Sequence, residues 1–278
     1  MNKLHIVATP IGNLQDVSAR SLSVLGTVGL IAAEDTRVTR RLLSRHGIST
    51  RVTSYHRHSS PAKLESLLAA LQENDVALVC DAGTPGINDT ADELVRAATE
   101  AGVEVVSVPG PSSVTAAISI SGLDITGFVY LGFLPRAKAD RKRLLAERAA
   151  EPLALVALET PHRISAALGD MLDVLGDRDI SVCRELTKLH EEVFRGTISG
   201  AIEYFAEPRG EFTLVVAGAA PVQTDPGVVE AEAAQMLRKL RGEGSTGRDA
   251  VAEVADITGL AKRRVYEMWR YGDTISTE

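Results

Sequence analysis

Two spacings of apolar residues alternate along most of the chain. Short apolar runs such as Leu4–Ala8 and Val76–Cys80 are typical of strands, and the continuous run at Val76–Cys80 indicates a strand buried on both faces of a sheet. Between such runs, apolar residues recur every three or four positions, as in Leu64, Leu67 and Leu71, which indicates helices packed by one face. Strands that alternate with helices predict an α/β fold with parallel strand pairing.

The predicted elements form two α/β halves and a helical tail. The strands are predicted at Leu4–Ala8, Val28–Ala33, Val76–Cys80, Val103–Val108, Phe128–Phe133, Leu153–Leu158, Ile180–Glu185 and Phe212–Ala217. A linker at Pro221–Gly227 precedes three helical patterns at Val228–Leu240, Asp249–Thr258 and Lys262–Trp269. We therefore expect two α/β domains, residues 1–115 and 116–222, and a small C-terminal helical domain, residues 223–278.

Glycine-rich loops follow several of the predicted strands. In open parallel sheets ligands bind beyond the carboxyl ends of the strands, so these loops are the first candidates for a site. Asp81–Gly86 is the most specific, because Gly83 and Gly86 permit tight turns and a close approach of a ligand to the backbone. A plain strand-to-helix turn explains this loop equally well on its own. The chain contains neither a P-loop nor a G-x-G-x-x-G motif.

Serines and charged side chains lie at other predicted strand ends. Ser112 and Ser113 precede a small-residue helix, where capping is the favoured local role and contact with a carboxylate is the alternative. Charged clusters occur at Glu34–Arg37, Leu158–Arg163 and Arg184–Glu192. Each cluster alone is explained by a solvated turn, but their repetition at successive strand ends favours a site.

The net charge of −7 over 278 residues argues against a nucleic-acid partner, but its distribution is uneven. Glu34–Lys63 holds seven basic and two acidic side chains, and Arg136–Arg148 holds six basic and two acidic ones. These segments carry net charges of +5 and +4. Solvated helix faces are the simpler interpretation, yet both segments follow predicted site strands. We therefore favour a rim that binds RNA phosphates.

Other compositional signals exclude several classes of protein. Two cysteines, Cys80 and Cys183, are too few for a disulfide framework or a four-cysteine zinc site. His56 and His58 are close together but lack further ligands at matching spacing, so no metal is expected. The chain has no apolar run long enough to span a membrane and no signal-peptide pattern, so a cytoplasmic protein without membrane contact is expected.

Taken in order, the loops resemble those of the tetrapyrrole methylase superfamily, the class III S-adenosylmethionine-dependent methyltransferases. Within it the chain is similar to the bacterial 16S rRNA ribose methyltransferases, which modify the 2′-hydroxyl of a decoding-centre cytidine. The motifs that carry the resemblance are Ala8–Leu14, Ala33–Arg37, Ser54–His56, Asp81–Gly86, Val108–Ser113, Gly132–Pro135, Glu159–Arg163, Arg184–Lys188 and Arg195–Gly196, with a weaker match at Gly259–Tyr266. The chain departs from the usual family residues at Arg57, Asn88, Leu158 and Thr160.

The resemblance implies that S-adenosylmethionine is bound in a cleft between the two α/β domains. Pro10 would pack beside it, Asp81, Ala82 and Gly83 would surround its methionine and ribose parts, and Ile87 would lie nearby. Ser112 and Ser113 would face its amino-acid end, and Leu158 and Leu186 would line the adenine pocket through their main chain. A homodimer and 16S rRNA, within the 30S subunit, are the implied partners.

A ribose hydroxyl is a poor nucleophile at neutral pH, so a base that accepts its proton is expected near the transferred methyl group. The candidate bases are Glu34, Asp35, Asp89, Glu159 and Glu185, and Lys188 would assist if burial lowered its pKa. We favour the clusters that hold Glu34, Asp35, Glu185 and Lys188. The candidate RNA-binding residues are Arg37, Arg40, Arg41, His56, Arg136, Lys138, Arg141, Lys142, His162 and Arg163.

Two other functions stay open from sequence. A tetrapyrrole methyltransferase would use the same cofactor loops but would need neither the basic segments nor the tail. A non-enzymatic nucleic-acid-binding module would leave the loops unexplained. The tail has a pattern compatible with a helix-turn-helix, but Thr224–Glu278 holds eight basic and ten acidic residues. An accessory contact to RNA or ribosomal protein is therefore expected of it, rather than sequence-specific DNA binding.

Overall fold

A computed structural model describes residues 2–88, 91–220 and 226–271 of the chain. The chain divides into two compact units, Met1–Ala219 and Ala220–Glu278. The first unit contains two five-stranded sheets, and the second is helical. The predicted α/β class with a C-terminal helical region is confirmed.

The first sheet is entirely parallel and has the strand order β3-β2-β4-β1-β5. Its strands are β1 (Lys3–Val7), β2 (Leu30–Ala33), β3 (Val52–Ser54), β4 (Val76–Val79) and β5 (Glu104–Val108). The connecting helices are α1 (Ala19–Thr27), α2 (Thr36–Arg45), α3 (Pro61–Glu73) and α4 (Ala91–Glu100). All four residues of β4 are buried, as its continuous apolar run predicts.

The second sheet is mixed, with the order β6-β7-β10-β8-β9. Its strands are β6 (Phe128–Phe133), β7 (Ala154–Glu159), β8 (Asp179–Arg184), β9 (Glu192–Thr197) and β10 (Phe212–Val216). Among these described strands β6 and β7 pair parallel, and the other pairings are antiparallel. Parallel pairing, expected from alternating strands and helices, therefore holds for one of the four described pairings of this sheet. Seven residues join β8 to β9, too few for the crossover that a parallel neighbour requires.

Helix α5 (Ser113–Ile120) links the two sheets. It begins soon after β5 of the first sheet, and its residues Val114 and Ala117 pack with Val156 and Val215 of the second. The opposite face of the second sheet packs against α6 (Lys138–Ala146), α7 (Ile164–Leu175) and α8 (Ile198–Tyr204). The first residues of α5 therefore lie between the carboxyl end of β5 and the second sheet.

Helices α6 and α7 are joined by a buried ion pair. Arg141 is 5% exposed, and its Nε and Nη2 lie 2.9 and 2.5 Å from Asp170 Oδ2. Its Nη1 also donates to the carbonyl oxygen of Pro135. The expectation that Arg141 contacts RNA is therefore wrong, because its guanidinium is enclosed and its donors are used within the fold.

The helical unit contains α9 (Pro226–Gly242), α10 (Gly247–Thr258) and α11 (Lys262–Tyr271), close to the three helices expected from sequence. Thr246 caps α10 by accepting the N–H of Asp249, and Gly259 ends it with a φ of +70°. Leu237, Val254 and Val265 bring one residue from each helix into a common core. No helix in the described ranges is long and apolar enough to cross a membrane.

Candidate functional site

The first sheet brings two loops together at its centre. After β1 the chain continues towards β2 on one side, and after β4 it continues to β5 on the other, so a crevice forms at the carboxyl ends of β1 and β4. The N–H of Thr9 donates to the Gly83 carbonyl oxygen at 2.8 Å, and the N–H of Gly83 donates back at 3.0 Å. Gly83 has a φ of +85°, a conformation in which a side chain is strained.

A cavity of about 350 Å³ opens between these loops and the second sheet. The second sheet contributes side chains from β6, β7 and β10, and α5 contributes its first residues. The structure brings together eight of the nine predicted cofactor residues at its lining: Asp81, Ala82, Gly83, Ile87, Ser112, Ser113, Leu158 and Leu186. Pro10 is buried behind the lining. The volume is in the range of small-molecule sites.

The cavity has an apolar side and a polar side. Leu158 and Leu186 supply apolar surface, whereas Asp81 and Thr213 supply oxygen atoms. Ser112 precedes α5 without a side-chain hydrogen bond to the helix, so the capping role favoured from local sequence is not the one observed. These groups suit a ligand with an aromatic ring, hydroxyls and a charged end.

Sequence reasoning missed several of the lining residues. They are Ile11, Cys80, Thr84, Asn88, Val114, Tyr130, Phe133, Thr160, Cys183, Glu211, Phe212 and Thr213. The sequence marks Thr213 only as a polar residue inside an apolar strand, and the pairing of that strand decides that it faces the cavity. No comparable signal marks Tyr130 or Phe133, because their orientation depends on the pairing of β6.

Asp81 connects the ends of β4 and β2. Its Oδ1 accepts the N–H of Asp35 at 2.8 Å, and its own N–H donates to Glu34 Oε2 at 3.4 Å. The exposed Glu34 lines the cavity, whereas Asp35 turns away to cap α2 and to pair with Arg37. Of these two adjacent candidate bases, Glu34 is therefore the one that faces a ligand.

Asp35 is held as a carboxylate by Arg37. Its side-chain hydrogen bond from Arg37, with the backbone N–H of the same residue, lowers the pKa of Asp35 from 3.8 to about 2. Because the folded pKa is depressed, this stabilisation is fully present above pH 3.8 and is lost as the pH falls through about 2. An NMR titration should show a midpoint near 2 for this carboxyl, and Arg37→Gln should return it towards 3.8. A midpoint near 4 in the unsubstituted chain would contradict the pairing.

Glu185 and Lys188 lie outside the cavity lining but form an ionic cluster with Glu211, which lines it. Lys188 Nζ lies 2.9 Å from Glu185 Oε1 and 2.8 Å from Glu211 Oε2. Burial is the largest single influence on the pKa of Lys188 and lowers it. The hydrogen bonds to Glu211 and Glu185 together outweigh burial, so the pKa of Lys188 is raised above its ordinary value. Lys188 therefore lacks the lowered pKa that its expected role as a base required. Burial likewise raises the pKa of Glu185, but the hydrogen bond from Lys188 brings it below the ordinary value.

The segment from Glu185 to Thr187 has a strained backbone and is hydrogen-bonded to the loop after β1. Glu185 and Thr187 have φ values of 51° and 65°, which are uncommon for residues with side chains. Thr187 Oγ1 accepts the N–H of Asn13 at 3.0 Å. A Cβ on Gly12 would lie 2.5 Å from Lys188 Cγ, so only glycine allows this approach. The contact holds the backbone of Leu186 against the cavity.

The other charged candidates are distributed differently. Glu159 lines the cavity but is 1% exposed, and burial raises its pKa. Arg163 Nη2 lies 2.9 Å from Glu159 Oε1, and the two form an ion pair whose angles do not suit a hydrogen bond. The same Nη2 donates a hydrogen bond to the Leu134 carbonyl oxygen. Arg163 is thus used inside the fold. Asp89 lies outside the described residues.

The remaining RNA candidates are on the surface. The exposed ones are Arg37, Arg40, Arg41, His56, Arg136, Lys138 and His162. Lys142 is partly exposed and pairs with Asp173 at 2.8 Å. No group of three or more His, Cys, Asp or Glu side chains placed to hold a metal ion occurs among the described residues.

Comparison with known proteins shows the family of the chain. Residues 3–202 match the family described as tetrapyrrole (corrin/porphyrin) methylases. The chain belongs to the tetrapyrrole methylase family. It is therefore a methyltransferase, and the resemblance seen in its loops is confirmed. Residues 227–269 match a second family, described as the RsmI C-terminal HTH domain.

Curated relatives within the tetrapyrrole methylase family are similar over almost the whole chain. A protein of Synechocystis sp. named ribosomal RNA small subunit methyltransferase I is 45% identical, covering 96% of this chain and 97% of its own. The protein of the same name from Escherichia coli O157:H7 is 41% identical, covering 95% and 93%. The protein of the same name from Thermotoga maritima is 44% identical, and the match covers 78% of this chain and 99% of the relative.

Solved structures support the fold of this methylase. A cobalt precorrin-4 methyltransferase superposes with a TM-score of 0.57 at 16% identity, covering 77% of this chain and 94% of that chain. A uroporphyrin-III-C-methyltransferase from Thermus thermophilus gives a TM-score of 0.55 at 19% identity. At these identities the likeness concerns the fold alone.

Proposed function

We propose that this methylase transfers the methyl group of S-adenosylmethionine to the 2′-hydroxyl of a decoding-centre cytidine in 16S rRNA, within the 30S subunit. The observation that carries the proposal is the match to curated rRNA small subunit methyltransferases over 96% of the chain, including the helical unit. The exposed cations that follow β2 and β6 add a physical reason, because phosphate binding requires cationic side chains. The cytoplasm is the expected compartment, and a homodimer is the expected assembly.

The cavity residues fit S-adenosylmethionine by their chemistry. Leu158 and Leu186 offer apolar surface for an adenine ring, and Asp81 offers a carboxylate for ribose hydroxyls or an amine. Ser112 and Ser113 offer hydroxyls and the N-terminus of α5 for a carboxylate. When bound there, the cofactor supplies an electrophilic methyl group on a sulfonium.

Glu34 is the best placed acceptor for the proton of the ribose hydroxyl. It is exposed, it lines the cavity, and it lies beside Asp81. Glu159 also lines the cavity but is enclosed and paired with Arg163. Asp35, Glu185 and Lys188 do not line it. Glu34 would therefore orient the hydroxyl and accept its proton as the new bond forms.

Binding of RNA should weaken with salt, and a rim cation should contribute to that dependence. Arg136 is exposed in the loop after β6, so Arg136→Gln should reduce the slope of log affinity against log salt by about 1. Lys3 pairs with Glu104 at the opposite end of β1, and Lys3→Gln should leave the slope unchanged. Filter binding of 16S rRNA at several salt concentrations measures both. Affinity that ignores ionic strength would count against a phosphate-binding rim.

One experiment separates the candidate functions. Labelled S-adenosylmethionine is supplied with 30S subunits, naked 16S rRNA or a precorrin, and the labelled product is identified. We expect label in rRNA, at a nucleotide whose following phosphodiester bond resists alkali because its 2′-oxygen is methylated. Label only in the precorrin would support a tetrapyrrole methyltransferase. No transfer and no cofactor binding would support a non-enzymatic module, and label on a base would refute the ribose assignment.

A further inference from the structure

Strand β6 presents two aromatic residues to the cavity at a spacing that a regular strand does not allow. Val129 and Leu131 pack on the core formed with α6 and α7, while Tyr130 lines the cavity on the other face. Side chains alternate along a strand, so Phe133 would be expected on the core face with Leu131. Phe133 instead lines the cavity with Tyr130.

A β-bulge causes this reversal. Tyr130 pairs with Val156, but the next residue of β7, Ala157, pairs with Gly132, which leaves one extra residue in β6. Gly132 has a φ of +65°, the left-handed conformation that glycine adopts in such bulges. Beyond it, Phe133 pairs with Leu158, another residue of the cavity lining. The bulge thus turns an aromatic ring from the core to the mouth of the site.

The bulge is supported from the opposite side of the cavity. Asn88 Nδ2 lies 2.6 Å from Tyr130 Oη, and Asn88 Oδ1 lies 3.3 Å from where a Cβ on Gly132 would be. Asn88 belongs to the segment after β4 of the first sheet. The position of Phe133 is therefore fixed by elements of both sheets rather than left to a loose strand end.

Phe133 remains 51% exposed although it stands at the entrance of a cavity. A phenylalanine turned towards the core would contribute its full burial to stability, so this orientation gives up hydrophobic stabilisation. Leu158 and Leu186 already offer apolar surface for the cofactor ring inside the cavity. The half-exposed ring therefore suits a second, flat ligand that arrives from outside, and Arg136 lies three residues further on.

We propose that Phe133 is the platform on which the base of the target nucleotide stacks while its ribose hydroxyl enters the cavity. The inference rests on the proposed rRNA substrate. An unstacked base of single-stranded RNA has a flat face for such a ring, and the stack orients the nucleotide without reading its sequence. A target base leaves its own stack to reach the site, and Phe133 replaces one of the lost contacts.

The test compares Phe133→Ala with Phe133→Trp and with a matched control. Phe128→Ala removes the other exposed phenylalanine of β6, which is 42% exposed and lies outside the cavity lining. We expect Phe133→Ala to raise the KM for 30S subunits about 5- to 150-fold, the loss of one base–aromatic stack. Phe133→Trp and Phe128→Ala should stay near the unsubstituted value. Calorimetry should give the same affinity for S-adenosylmethionine in all four proteins.

A spectroscopic measurement reports stacking directly. Trp269 is the one tryptophan of the chain, so the difference between Phe133→Trp and the unsubstituted protein isolates the signal at position 133. Its fluorescence should be quenched saturably by the rRNA substrate, and that of Phe128→Trp should not. Unchanged KM in Phe133→Ala, an equal loss of cofactor affinity, or dissociation of a dimer on sedimentation would each overturn the stacking role. If the unsubstituted protein methylates no rRNA, the proposed function itself fails.

Discussion

Glu34→Gln is expected to lower kcat for rRNA methylation about 10²- to 10⁴-fold, the usual contribution of a positioned general base. The glutamine keeps the length of the side chain and an oxygen that can accept the N–H of Asp81, but it cannot take a proton. The cavity should keep its shape, so the affinity for S-adenosylmethionine should change less than twofold. Single-turnover rates with saturating cofactor and 30S subunits measure the chemical step.

The control for Glu34 is its neighbour in sequence. Asp35 caps α2 and pairs with Arg37, and it does not line the cavity, so Asp35→Asn should leave the chemical step within a few-fold. Glu185→Gln serves as a second control from the ionic cluster around Lys188. A near-normal rate in Glu34→Gln would show that proton removal occurs elsewhere or that orientation alone suffices.

Asp170→Ala is expected to destabilise the first unit by about 3–5 kcal/mol, because it leaves the guanidinium of Arg141 buried without its anion. Asp170 is 3% exposed and Arg141 is 5% exposed, so solvent does not reach either group to compensate. The two other basic side chains within 4 Å of Asp170, Lys138 and Lys142, lie on the same helix as Arg141 and would add to the unbalanced positive charge. Urea unfolding followed by circular dichroism measures the change.

Two comparisons show whether the effect comes from burial. Asp173 is 59% exposed and pairs with Lys142 one turn further along α7, so Asp173→Ala should cost about 1 kcal/mol or less. The double replacement Arg141→Met with Asp170→Leu should recover most of the stability, since it removes both charges together. A loss below about 1 kcal/mol in Asp170→Ala would mean that the pair is accessible to water in solution.

The first sheet could be predicted from sequence to a useful degree. Each of β1, β2 and β4 is a short apolar run followed by a loop with glycine or acidic residues, and parallel pairing places those loop ends on one edge. That inference identified Glu34 and the loop Asp81–Gly83 in the cavity lining, because these residues follow strands whose position does not depend on long-range register.

The second sheet shows what an apolar run leaves undetermined. The run at Phe212–Ala217 predicts a strand, but neither its direction nor its neighbours follow from hydrophobicity, and β10 pairs antiparallel between β7 and β8. Thr213 and Phe133 were missed for this reason, since pairing decides which face reaches the cavity. Arg141 was misjudged because a charge count along the chain does not distinguish a solvated cation from one enclosed between helices.

The left-handed backbone of Gly132 makes the entrance of this site sensitive to substitution at one position, because a side chain there would strain the bulge. A strand that closed the bulge and kept all its residues would continue regular alternation, and Phe133 would then belong to the core face. Removal of the extra residue would instead leave Phe133 on the cavity face with Tyr130. One replacement at Gly132 could thus change the surface at the entrance while the deeper walls of the cavity stayed as they are.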